Sequence, residues 1–498
     1  MKKNILLILA AISVLSCTTN SQQVYTSGEV VAGNDTCKAI DTYLTQLAAD
    51  KNFSGGLLII KDGKKIFSKG YGWANKETGI SFTPATLASI GSITKAFTAA
   101  AIMKLVEQGK LSVNEKIKKF FPNIPDDKAA ITIHQLLTHS SGFHEFLQND
   151  GGDFEKLETE EFLKRAFNEP LSFKPGEKAV YTNVGMSILA IIVEKISGTG
   201  YEAFLNKNLF EPIGIKHIGY CYPSLKEDII AHGYQNGKDW GTHQLHFDKA
   251  GGGPYWNLKG NGGLEASLND MFLWANAFTN HSILQDTTIA KMFTRQIPEE
   301  GYGGKSWFGY GCNISTSRRN TTMIDNGGSN GIYFARLIRL PKESVVFYMV
   351  TNESIVNTNK VLPNITQLYF QGSITQDALA AQSKFENPVS KTIYDIITAT
   401  KTTNLALELD KAKITVEDDM ILLEVGQKLI EEQKTDEALA LYQFYTTAFP
   451  NIVVAWNDMG DVYLLKHNKD EAIKCYRQAL KIRPENARAK ENLKKLMN

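Results

Sequence analysis

An α+β domain followed by an all-helical tail is the fold class that this 498-residue sequence predicts. Three observations carry it. Two hairpin patterns stand far apart: GGLLIIKDGKKIFSKGYGWA around Asp62-Gly63, and FARLIRLPKESVVFYMVTN, turning at Pro341–Ser344. Helical segments and long polar loops fill the interval, which fits an antiparallel sheet with helices around it better than a doubly wound parallel one. Beyond them the chain repeats itself with a period of 34 residues.

The composition suits such a chain. Hydrophobic residues make up 43%, enough for sizeable cores, and the formal net charge is +1, so no nucleic-acid partner is expected. The start, MKKNILLILAAISVLSC, has a basic Lys2-Lys3 flank and an apolar stretch too short to span a bilayer. Residues 1–16 therefore read as a signal peptide. The junction resembles a bacterial lipobox with Cys17 as the lipidated residue; ordinary signal-peptidase cleavage is the alternative. The expected location is the bacterial cell envelope, with a lipid anchor facing periplasm or exterior. Residues 17–36 are polar and read as a flexible tether. Helical spacing begins at Cys37 in KAIDTYLTQLAAD. Cys37, Cys221, Cys312 and Cys475 are widely spaced, with no metal or redox motif; they read as isolated thiols, with one disulfide left open.

In the tail, Gly426 recurs as Gly460, Ala438 as Ala472, Tyr442 as Tyr476 and Pro450 as Pro484. The period and the helix–turn–helix pattern resemble tetratricopeptide repeats. Two repeats over about 421–487 and a capping helix in AKENLKKLMN make residues 420–498 a domain, and 373–419 a connector. Such a tail either docks a protein or peptide partner or caps the preceding domain.

The chemistry starts at SITK, residues 92–95. At helical spacing Ser92 and Lys95 share one face. A serine hydroxyl needs a group to take its proton, and a lysine does so when burial brings its pKa toward neutrality. Tyr181-Thr182-Asn183 adds a second proton shuttle and an amide able to hold both substrate and lysine. LLTHSSG precedes these residues; GGLEASLND and DNGGSNG follow them.

This ordered set resembles the serine hydrolases related to class C β-lactamases, D-alanyl-D-alanine carboxypeptidases and small esterases, over about residues 37–355. The domain so implied is taken as 37–372. The resemblance implies an antiparallel sheet flanked by helices, with a mostly helical subdomain beside it and the site between. It implies Ser92 as acyl-forming nucleophile, Lys95 and Tyr181 as general-base pair, and Asn183 as substrate-orienting residue. It also implies an oxyanion hole from the amides of Ser92 and Gly328. The third family motif falls on Asp325-Asn326-Gly327, so these are expected to bind substrate. There an acid replaces the family's cation. This favours esters, amides or peptides without a free carboxylate over penicillin-type substrates. Asp325 would either select a substrate amine or pair with an arginine such as Arg318 or Arg336.

The expected function is thus an envelope serine hydrolase acting on a small-molecule or short-peptide acyl substrate, with no metal or organic cofactor. The alternatives are a penicillin-binding carboxypeptidase or β-lactamase, and an inactive hydrolase whose repeats serve as adaptor. His139 is expected in a structural loop. His243 and His246 are expected in a solvent-facing loop that lines the pocket. GGGPYWNLKGNGG reads as a substrate wall or as surface packing. GGKS at 303–306 lacks the first glycine of a phosphate loop, Glu299 standing there, and nucleotide binding is set aside.

Overall fold

The computed structural model describes residues 26–29, 35–51, 53–148, 151–220, 229–235, 237–374, 388–401, 404–416, 419–484 and 486–497. Residues 1–16, expected as a signal peptide, and Cys17 lie outside the described residues. Among the described residues, nine antiparallel strands form the main sheet: β1 (Thr26–Glu29), β2 (Gly55–Lys61), β3 (Lys64–Tyr71), β4 (Ile297–Pro298), β5 (Ser306–Phe308), β6 (Asn313–Thr316), β7 (Thr322–Ser329), β8 (Phe334–Leu340) and β9 (Val345–Thr351). Their spatial order is β1-β3-β2-β9-β8-β7-β6-β5-β4. Part of the expected tether is therefore edge strand β1, paired with β3 from Thr26↔Tyr71 to Glu29↔Ser68.

Both expected hairpins are present. Asp62 and Gly63 both adopt positive φ, 50° and 72°, as a two-residue turn between right-twisted strands requires. At the other hairpin a short 3-10 turn, Pro341–Glu343, leads into Ser344 at φ 51° and joins β8 to β9. The two hairpins meet in the sheet centre, where β9 pairs with β2, Val350 opposite Gly56.

Strand β2 is buried along nearly its whole length because both faces of the sheet are covered. Leu57 and Ile59 point to one face, into a core shared with helices α1 (Asp35–Lys51) and α5 (Thr358–Gln371). Leu58 and Ile60 point to the other, into the largest core, built with α2 (Thr94–Glu107), α3 (Asn183–Ser197) and α4 (Leu268–Ala277). The period-two alternation of a strand thus divides one apolar run between two layers. The helical subdomain holds α3 and belongs to this second core.

The tail forms a core of its own. Gly426 and Gly460 are structural equivalents: a Cβ on Gly426 would come within 2.4 Å of the Tyr442 hydroxyl, and one on Gly460 within 2.8 Å of the Tyr476 ring. Each repeat packs its tyrosine onto backbone, leaving no room for a side chain. Two helices stand among the described residues of the segment expected as a connector. Helices Pro388–Thr400 and Leu405–Lys411 bury Ile393, Ile397, Leu405 and Leu409 in the same core as the first repeat. Cys37, Cys312 and Cys475 are buried free thiols.

Candidate active site

Ser92 sits in a 3-10 turn, Gly91–Ile93, from which α2 departs at Thr94. Gly91 has φ 49°, and a Cβ there would meet the Ser329 amide nitrogen at 2.6 Å. Only glycine lets β7 come this close. Helix α2 is buried on every side from Thr94 to Met103, so Lys95 is only 3% exposed. Burial pushes its amine down to about 7, against the opposing pull of Glu145 and Asp153.

The Lys95 Nζ contacts Ser92 Oγ at 3.0 Å, Asn183 Oδ1 at 2.6 Å and the Asn261 carbonyl oxygen at 2.6 Å. An ammonium has three protons to give and satisfies all three acceptors. A neutral amine has two, so one contact must reverse. The two short contacts are to atoms that only accept. The reversal therefore falls on Ser92, the one partner with a proton to give.

Tyr181 donates its hydroxyl to Ser92 Oγ at 2.7 Å, and Lys95 Nζ lies 4.6 Å from the centre of the Tyr181 ring. Burial, reinforced by Glu145, pushes the phenol well above its ordinary range, while its hydrogen bond to Ser92 pulls the other way. Tyr181 thus stays protonated near neutral pH. His139 packs against the rings of Tyr181 and Phe308 at 5.0 and 4.7 Å, and its Nδ1 accepts the Thr182 amide at 3.2 Å. Burial and Lys95 together push the imidazole down to about 3, so it stays neutral and can accept. It positions the Tyr181–Asn183 segment, the structural place expected for it. Thr182 caps α3, its hydroxyl accepting the Gly185 amide, and thereby sets Asn183 at the first helical position.

Sequence reasoning missed Asn261. Its side chain donates to Ser187 Oγ at 2.9 Å and to the Asn257 carbonyl at 2.7 Å, which turns its own carbonyl to Lys95. The available signal was the loop GGGPYWNLKGNGG, read as a substrate wall or as surface packing. His243, expected to face solvent, is 2% exposed. Its Nδ1 lies 3.1 Å from Glu265 Oε1 and its Nε2 3.1 Å from Asn330 Nδ2. Nδ1 then carries the proton toward the carboxylate, and Nε2 accepts from Asn330. His246 stacks on Trp240, ring centres 3.9 Å apart.

A cavity of about 250 Å3 opens over Ser92. Tyr181, Asn183, Gly262, Gly263, Ser329 and Asn330 line it, together with Phe146, Leu258 and His243 and two acids, Glu145 and Asp153. Asp325, Asn326, Gly327 and Gly328 are not in that lining. On β7, Asn326 and Gly328 stand opposite Leu337 and Ala335, which belong to the α2 core. Asp325 stands opposite Ile338, which belongs to the α1–α5 core, so strand alternation turns Asp325 and Gly327 away from Ser92. The Asp325 carboxylate is held by Arg336 at 3.1 Å (Nε) and 2.6 Å (the terminal nitrogen), one of the two arginines considered from the sequence. Asn326 donates to the Gly311 carbonyl at 2.6 Å. Gly328 presses on the serine turn: a Cβ there would lie 2.0 Å from the Ile90 carbonyl oxygen and 2.8 Å from the Ser92 nitrogen.

A seryl hydroxyl touched by a buried lysine and a tyrosine, between an antiparallel sheet and a helical subdomain, defines a class of serine hydrolases. The chain belongs to the beta-lactamase family, whose profile matches residues 40–366; a tetratricopeptide repeat profile matches residues 453–486. The "Putative penicillin-binding protein PbpX" of Bacillus subtilis (strain 168) is 28% identical over 290 residues, covering 58% of this chain and 68% of that protein. "Protein flp" of Staphylococcus aureus (strain MW2) is 30% identical over 208 residues, covering 41% of this chain. The chain thus spans 42% of flp. Among solved structures, the octameric penicillin-binding protein homologue from Pyrococcus abyssi superposes with a TM-score of 0.58 at 27% identity, covering 72% of this chain and 81% of that one. The penicillin binding protein from Bacillus halodurans gives 0.56 at 26%, covering 65% and 99%.

Proposed function

We propose that this chain hydrolyses esters or amides through an acyl-enzyme on Ser92, with Lys95 as the base and Tyr181 as the proton donor. The observation that carries this is the convergence of Lys95 Nζ and the Tyr181 hydroxyl on Ser92 Oγ, at 3.0 and 2.7 Å. Neutral Lys95 takes the hydroxyl proton as Oγ attacks the substrate carbonyl. The oxyanion of the tetrahedral intermediate lies between the amides of Ser92 and Ser329, the residue after the Gly328 expected from sequence. Support for that shift is that Ser329 lines the cavity and its nitrogen borders Gly91. Removing one such donor typically costs about 3–4 kcal/mol of transition-state stabilisation.

The two candidate bases separate by environment. An amine brought down to about 7 by burial is a free base for half its population near neutrality. A phenol held above its usual range stays protonated and hands its proton to the departing oxygen or nitrogen. Lys95 reprotonates Tyr181, and water repeats the sequence to release the acid and restore Ser92.

No lysine or arginine stands among the described lining residues, which favours substrates without a free carboxylate. The names of the relatives favour a second reading, reaction with penicillin-type amides. The N-terminal sequence supports export, with lipid at Cys17, and the helical tail supports a docked partner. The test is turnover of a short p-nitrophenyl ester beside a chromogenic β-lactam, with Ser92→Ala as control. Ester cleavage lost in the variant, with the β-lactam intact, is expected. β-Lactam turnover would put the second reading first. Inactivity on both, with capture of a partner by the tail, would favour the adaptor.

A further inference from the structure

We propose that the cavity over Ser92 selects substrates bearing a protonated amine, with Asp153 and Glu145 as the groups that receive it. This rests on the acyl-transfer reading above and names its substrate class. Both acids line the cavity that contains the nucleophile. Among the described residues, neither carboxylate has a hydrogen-bonding or ion-paired partner, whereas the neighbouring Glu155 is paired with Arg165 at 2.8 Å. Asp325, the acid for which an amine was first considered, is already paired with Arg336 at 2.6 Å.

An unpaired carboxylate in a partly enclosed wall is costly, and a bound ammonium offsets that cost through charge-assisted hydrogen bonds. Burial pushes the Asp153 carboxyl above its usual range, with Lys95 among the groups pulling it back. Glu145 stands at the solvent-facing rim, yet the surrounding wall also pushes its carboxyl up, with Lys95 opposing. Phe146, 47% exposed, and Leu258 supply apolar surface beside the acids for the rest of the substrate.

The charge balance gives the amine a second effect. Lys95 must be neutral to act, and both acids pull its pKa up. A substrate ammonium docked on them cancels that pull and leaves more of Lys95 as the free base at neutral pH. A succinylated substrate adds a further negative charge and does the reverse.

The test uses the purified full chain and p-nitrobenzyl esters of D- and L-alanine with the amine free, acetylated or succinylated. The expected order of kcat/KM is free amine, then acetyl, then succinyl, with at least a tenfold step from acetyl to free amine, as for a charge-assisted contact. In Glu145→Gln/Asp153→Asn the ratio of free amine to acetyl falls to about one. In Glu145→Gln alone, a rim change that leaves Asp153 in place, it falls part of the way. The acid limb of kcat should also lie lower for the free amine than for the acetyl ester. A ratio near one in the unaltered protein, or one unchanged in the double variant, overturns amine selection while Ser92-dependent cleavage of the acetyl ester upholds the hydrolase. Failure to cleave any of the esters overturns both.

Discussion

Replacing Asn183 by aspartate tests the assignment of Lys95 as base. The change keeps the shape of the side chain and puts a full negative charge on the atom that accepts from Lys95 Nζ at 2.6 Å. At an effective dielectric constant of about 20, opposite unit charges about 4 Å apart attract by roughly 4 kcal/mol, which is about 3 pKa units. The Lys95 amine should rise from about 7 toward about 10. The active form is the free base, so the acid limb of kcat/KM moves up by the same amount. At neutral pH the variant should be slower by about a thousandfold. The assay is the pH profile of a neutral p-nitrophenyl ester, with Ser92→Ala at each pH as the blank. Recovery at high pH to near the parent rate separates retuning of the base from damage to the fold. An active variant whose acid limb stays near the parent's would refute Lys95 as the titrating base.

Four further outcomes follow from the same geometry. Tyr181→Phe removes the hydroxyl that donates to Ser92 and should cut kcat by about 100- to 10,000-fold with little change in melting temperature, read by ester turnover and calorimetry. Gly328→Ala drives a methyl group into the Ile90 carbonyl oxygen, 2.0 Å from the ideal Cβ position; both ester turnover and thermal stability should fall together. Asp325→Ala breaks the half-buried pair with Arg336 and should lower stability by about 1–3 kcal/mol in denaturant melts, while kcat/KM stays within about threefold and the preference among substrates is unchanged. The last outcome concerns Lys95→Met and pH. The amine of Lys95 is lower in the folded chain than in the unfolded one, so between about 7 and about 10 the unfolded chain binds more protons and the parent gains stability as pH rises. The variant lacks this gain. Its melting temperature relative to the parent should therefore be highest at the neutral end of that window and fall toward the alkaline end.

What the sequence conveyed was mainly local. The Asp62-Gly63 turn needs two residues at positive φ, and the S-x-x-K pair needs one helical turn, so each is written in a few adjacent residues. Tyr181 and Asn183 were legible because they stand in one short Tyr-Thr-Asn run, whose Thr182 caps the helix that follows. The facing of the third motif was not. A shift of one residue along β7 turns every side chain to the other layer, and only pairing with β8 settles which of Asp325 and Asn326 faces the site. Asn261 acts through its backbone carbonyl, which any residue carries, so its type gives little away. Helices Pro388–Thr400 and Leu405–Lys411 escaped because they share the core of the repeats without repeating their motif. Strand β1 is four residues at a sheet edge, too short for an alternation to be read.

The closure of the sheet has a temporal meaning for a chain made from its N-terminus onward. Ser92 and Lys95 emerge early, but Ser329 and the glycine pressing on their turn come more than 200 residues later. Strand β2 meets its central partner only when β9, ending at Thr351, has been synthesised. Contacts so distant along the chain form late and together. A nascent or truncated chain ending between Asn183 and Val345 holds Ser92, Lys95 and Tyr181, yet lacks β9, the strand that joins the two halves of the sheet. Under the proposed mechanism, hydrolytic activity would belong to the finished domain alone.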